Sequence, residues 1–146
     1  VIEKEVPLTE YIRTGISLDA ILTSQLLVNI FEHNTPLHDG AVIVQGNRIV
    51  AATCYLPLSN NTNISKDLGT RHRAGLGVSE ATDSFTIIVS EESGQISLAA
   101  GGRLRIGVTA EELREQLEKL MEPRSDNARN LKWWEGLRSN EKKNPE

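Results

Sequence analysis

Two spacings of apolar residues alternate along this chain and predict its elements. After Ser17, a residue suited to an N-cap, Leu18, Ile21, Leu22, Leu26, Ile30 and Phe31 recur at helical spacing. They predict a largely buried helix that ends near Asn34, ahead of Pro36. Residues 41–44 and 48–56 are apolar and partly β-branched, with Gln45-Gly46-Asn47 between them, which predicts an antiparallel hairpin in a buried sheet. Thr70–Ala81 reads as a short helix weakened by Gly75 and Gly77. Residues 84–89, 95–100 and 103–108 read as strands, separated by the turns Glu91-Glu92-Ser93-Gly94 and Gly101-Gly102. Thr109-Ala110-Glu111-Glu112 fits a capping box opening an amphipathic helix, with Leu113, Leu117, Leu120 and Met121 on its apolar face and Pro123 as its stop. The pattern implies an α/β fold: a single domain with a central mixed, largely antiparallel sheet flanked by helices.

Composition narrows the function classes. With 146 residues, 38% of them apolar and 25% charged, the chain suits one domain with a real core. A formal net charge of -4 argues against a general nucleic-acid binder, so any anion site must be local. Cys54 is the single cysteine; it has no partner for an internal disulfide, and a buried side chain in a reducing cytosol is the simplest reading. No apolar stretch reaches the ~20 residues of a membrane span. Because the chain begins at Val1, it is expected to be a piece of something longer.

The candidate chemistry sits at strand ends and loop tips. A phosphate loop, a complete dinucleotide loop, a two-histidine zinc helix and a serine-hydrolase elbow are all absent. Asp39 lies in Pro36-Leu37-His38-Asp39-Gly40-Ala41, at the entry to the predicted hairpin. Its carboxylate suits Mg²⁺ or Mn²⁺, and Gly40 lets a ligand approach the backbone. Thr70, Arg71, His72 and Arg73 follow Gly69 in the first turn of the predicted helix, where free N–H groups add to anion binding. Arginine suits phosphate through its planar fork. Ser90, Glu91 and Glu92 fall just past a strand, able to serve a cation or a ribose. Each cluster also has an ordinary reading: an Asp-Gly turn, a solvated basic face, an acidic loop. His33 reads as structural. Together the residues point to an anion or nucleotide site.

Asp39-Gly40-Ala41 and Arg71-His72-Arg73 resemble, in order and separation, the two signature motifs of the diadenylate cyclase domain. Ser24-Gln25-Leu26-Leu27, Thr35-Pro36-Leu37-His38, Tyr55-Leu56-Pro57-Leu58-Ser59, Gly69-Thr70 and Val89-Ser90-Glu91-Glu92-Ser93-Gly94 resemble its membrane-anchored branch. The resemblance implies condensation of two ATP into cyclic di-AMP and two pyrophosphates, with Mn²⁺ or Mg²⁺, at a site shared by two facing subunits of a homodimer. It implies that Asp39 orients or deprotonates the ribose 3′-OH and, with His38, holds the cation. Gly40 belongs to the same motif, and Ala41 is placed with the nucleotide contacts. Thr70, Arg71 and His72 would contact the phosphates, with Gly69 at their start and Arg73 in support. Ser90, Glu91 and Glu92 would complete the triphosphate and metal side, and Tyr55 and Leu56 would line the adenine pocket. The sequence divides into a connecting segment over 1–16, a catalytic domain over 17–122, where the resemblance lies, and a polar, charged tail over 123–146 that holds Trp133-Trp134 and has no counterpart in the resemblance. The longer protein would sit at the cytoplasmic face of the membrane, with a membrane-attached regulator and phosphoglucosamine mutase as partners and no nucleic acid. The alternatives are a sensor that binds ATP or cyclic di-AMP without turnover, and a metal-dependent phosphohydrolase.

Overall fold

Valine, isoleucine and alanine on either side of Gly46-Asn47 form the expected hairpin. The computed structural model describes residues 1–122, so the expected tail with Trp133-Trp134 lies outside the described residues. The elements run α1 (Thr9–Ile12), β1 (Ile16–Ile21), α2 (Ser24–Ile30), β2 (Ala41–Gln45), β3 (Arg48–Cys54), α3 (Thr70–Ala81), β4 (Thr86–Val89), β5 (Ile96–Ala100), β6 (Arg103–Val108) and α4 (Ala110–Met121). Residues 1–109 form one compact unit, and α4 belongs to a second, over 110–146.

The first unit holds two antiparallel three-stranded sheets, ordered β1-β3-β2 and β4-β5-β6. Both faces of the first sheet are buried. Ile43, Ala51 and Cys54 pack with Leu8 and Val78 on one face, while Val42, Val44, Ile49 and Ala52 pack with Ile30 on the other. That is why β2 is continuously apolar rather than alternating. The segment expected as a connector is woven between the sheets. Ile2 exchanges hydrogen bonds with Phe85 (2.8 and 3.1 Å), Val44 N–H donates to Val1 O (2.8 Å) and Glu3 N–H to Val44 O (2.9 Å). Its pairing is parallel to β2 and antiparallel to the chain at Phe85, which gives the assembly its mixed character.

The long helix expected over residues 17–34 is not formed: its first part is strand β1, and only Ser24–Ile30 is helical. Leu18 and Ala20 are half-buried between exposed Ser17, Asp19 and Ile21, a period of two that the helical spacing of Leu18, Ile21 and Leu22 concealed. Asp19 has φ +48°, outside the helical region, and its carboxylate accepts from Arg48 Nε at 2.7 Å. The true N-cap is Thr23, whose hydroxyl accepts from Leu26 N–H at 3.1 Å.

Helix α3 packs against β4, β5 and β6. Its glycines, unfavourable for a helix in water, permit contact here. A Cβ on Gly77 would lie 1.8 Å from Pro57 O, so only glycine lets the helix lie against residues 57–59. The capping-box expectation for α4 is met in position, since the helix opens at Ala110, one residue after Thr109.

Candidate functional site

The acidic turn lies against the end of β3. Gly40 has φ +85°, and a Cβ on it would meet the Cα of Thr53 at 2.9 Å, so both conformation and space require glycine. Ala41 pairs with Cys54 in the ladder. Asp39 is thus fixed at the strand end, with its side chain 86% exposed. His38 Nδ1 lies 2.7 Å from Thr35 O. A carbonyl only accepts, so Nδ1 carries a proton, and in the neutral imidazole Nε2 keeps its lone pair. That nitrogen lies 3.7 Å from Asp39 Oδ1. Two electron-rich atoms facing across this gap suit a cation. His33, expected to be structural, meets His38 edge-on, with ring centroids 5.8 Å apart.

The basic cluster opens α3. Its N-cap is Gly69, which supplies no side-chain cap, so the first N–H groups stay open beside exposed Thr70. Arg71 Nη1 donates to Val89 O at 3.1 Å, and its other fork nitrogen pairs with Glu91. These two contacts hold the guanidinium at the end of β4. His72 is only 8% exposed, and burial lowers its pKa below the ordinary value of 6.5. It is therefore a neutral donor near pH 7, and the formal positive charge rests on Arg71 and Arg73. Burial pushes the Cys54 thiol up, in line with a core role.

A short ribbon joins the two clusters. From Cys54 the chain passes through Tyr55 and Leu56 to residues 57–59, where Ser59 N–H donates to Arg73 O at 2.9 Å. Leu56 is half-buried against the core cluster that contains Cys54, and Tyr55 is 75% exposed. Ser90 folds into the β4–β5 turn, its Oγ accepting from Ser93 N–H at 3.3 Å and its N–H donating to Gln95 O at 3.0 Å. The structure thus brings Gly40 to Thr53, Ser59 to Arg73, and Arg71 to Val89 and Glu91. Glu91 engages Arg71, and Glu92 is exposed at the turn.

Among the described residues, no three His, Cys, Asp or Glu side chains cluster as metal ligands. His38 and Asp39 remain a fitting pair for Mg²⁺ or Mn²⁺, which take few protein donors and complete their shell with water and substrate phosphates. Thr14 went unnoticed in the sequence: its hydroxyl accepts from Tyr55 N–H at 2.8 Å, across 41 positions, with no local motif to signal it.

Several known proteins are similar to this chain. A family model described as DisA bacterial checkpoint controller nucleotide-binding (DAC) matches residues 1–104. The cyclic di-AMP synthase CdaA of Bacillus subtilis is 52% identical over 139 residues, 94% of this chain and 51% of that protein. A diadenylate cyclase of Listeria monocytogenes is 58% identical over 118 residues, 81% of this chain and 43% of that protein. The chain therefore spans about half the length of these curated relatives. A crystal structure of a double mutant of DacA from Staphylococcus aureus superposes with a TM-score of 0.79 at 52% identity, covering 81% of this chain and 79% of that one.

Proposed function

Because this chain belongs to the diadenylate cyclase (DAC) family, we propose that it condenses two ATP molecules into cyclic di-AMP and releases two pyrophosphates. One observation carries the reading. The Asp39-Gly40 turn is packed on the end of β3, and the ribbon leaving that strand is tied to α3, whose open start carries Thr70, Arg71, His72 and Arg73. This continuous stretch of structure supports reading Asp39 as a general base that works with an anion site at the start of α3.

In this mechanism Asp39 takes the proton of the ribose 3′-OH as that oxygen attacks the α-phosphorus in line with the departing pyrophosphate. Arg71, Thr70 and the N–H groups opening α3 hold the phosphates. Arg73 supports them, and neutral His72 donates one hydrogen bond. Charge grows on the leaving oxygens, so these donors bind the transition state more tightly than ATP. His38 and Asp39 would hold Mn²⁺ or Mg²⁺, which would supply charge neutralisation, while Ser90, Glu91 and Glu92 would serve the triphosphate and metal side. Tyr55 offers its ring and Leu56 its backbone to the adenine.

Each ATP must serve as attacking and attacked partner, so two copies of the site must face one another in a two-fold homodimer. In the longer protein this domain would be tethered to the cytoplasmic face of the membrane, within reach of a membrane-attached regulator and phosphoglucosamine mutase. Among the described residues no helix is long and apolar enough to cross a membrane.

Incubation with ATP and Mn²⁺ followed by chromatographic separation tests the reading. Cyclic di-AMP with pyrophosphate is expected. ATP that binds but returns unchanged would make the chain a sensor, and ADP or AMP without cyclic product would make it a phosphohydrolase.

A further inference from the structure

Tyr55 leaves β3 in an unusual way. In the ladder with β2, Ala41 pairs with Cys54 and Ile43 with Ala51, so Val42 stands opposite both Ala52 and Thr53. This is a bulge, and Thr53 occupies it at φ +53°. Among the described residues the other non-glycine positions with positive φ are Asp19 and Asn34, types that adopt it readily; threonine does not. The extra residue changes which face the following side chains take. Cys54 joins Ala51 in one core cluster while Ala52 lies in the other, although simple alternation would put Cys54 with Ala52. Tyr55 follows Cys54 just past the end of β3 and is 75% exposed.

Tyr55 lies just past the bulge, and a single hydroxyl braces it. Thr14 Oγ1 donates to Tyr11 O at 2.6 Å, just past the end of α1, which commits its proton. Its lone pair then accepts from Tyr55 N–H at 2.8 Å. Adjacent Gly15 packs so closely on β3 that a Cβ there would meet Ala52 O at 2.3 Å, so the brace stands on a tightly seated loop.

We propose that Thr14 is a positioning residue for the nucleotide site: its hydroxyl fixes the backbone of Tyr55 and so sets how the ring meets the adenine. This rests on the reading of Tyr55 as an adenine contact. Thr14 touches no substrate; it acts through Tyr55, and it should govern nucleotide affinity rather than the chemical step.

The test compares Thr14→Val, nearly isosteric but without the hydroxyl, with Thr14→Ser, which keeps it. ATP kinetics are measured with Mn²⁺, equilibrium binding with α,β-methylene-ATP, and folding by thermal melting. For Thr14→Val, KM and the analogue Kd should rise about three- to tenfold, the effect of one lost hydrogen bond, while kcat stays within about twofold. Thr14→Ser should lie near wild type. In a Tyr55→Ala background, adding Thr14→Val should change Kd by less than about 1.5-fold. Should Thr14→Val fail to fold, Thr14→Ala carries the same readouts. Unchanged Kd in Thr14→Val, an equal loss in Thr14→Ser, or an undiminished effect in the Tyr55→Ala background would each overturn the proposal. A wild-type chain that binds the analogue yet forms no cyclic product would reject the cyclase reading alone, because the Thr14 effect is still read from Kd. A wild-type chain that binds no analogue overturns both.

Discussion

Asp39 combines an exposed carboxylate with a backbone pinned by Gly40 against Thr53, so its chemistry can be removed without disturbing the core. Asp39→Asn should lower cyclic di-AMP formation by ~10²-fold or more with melting unchanged, the scale of a lost general base. A near-normal rate would remove Asp39 from the reaction. His72 makes a different prediction. Its folded pKa is lowered, so the unfolded chain takes up a proton that the folded chain resists. Its contribution to stability is complete above the ordinary value of 6.5 and is lost as pH falls through the lower folded value. Between pH 7.5 and 5.5, melting temperature should therefore fall less in His72→Gln than in wild type; an equal fall would place the effect elsewhere. Asp39 and Arg71 were legible as chemistry because each lies in a short polar motif beside an apolar run. Thr14 was not, since its partner is 41 positions away and only folding joins them. The neutral state of His72 was equally hidden, because it depends on burial.

At the scale of elements, sequence pattern succeeded where one period dominated. The hairpin at Gly46-Asn47, the strands around Gly101-Gly102 and the start of α4 all came from strong local signals. It failed over residues 17–34, where the helical spacing of Leu18, Ile21 and Leu22 masks the period of two carried by Leu18 and Ala20. There Asp19 in the left-handed region and Thr23 as the N-cap decide the outcome. Helix α3 shows the reverse lesson: the glycines that weakened it on paper are what allow its packing. Gly77→Ala should destabilise the protein by about 1–3 kcal/mol through overpacking, because Pro57 O cannot stay where it is. Since the displaced ribbon leads back to Tyr55, ATP affinity should fall as well. Thermal melting together with analogue binding checks both, and an unchanged melting temperature would show that the 57–59 segment yields freely.

At the scale of the whole molecule, the proposed reaction requires two copies of the chain. The rate per subunit should be constant at high protein concentration and fall as the protein is diluted below the dimer dissociation constant. A rate per subunit that stays flat across that range, with the mass of a monomer measured in parallel, would reject the shared site. The fold itself is held by an unobtrusive device, the extended chain around Ile2, which bonds to β2 on one side and to Phe85 on the other. Any tether attached ahead of Val1 would load those bonds along the strand direction. Tension would then meet both sheets in shear, with several bonds sharing the force, rather than peeling one ladder open from its end.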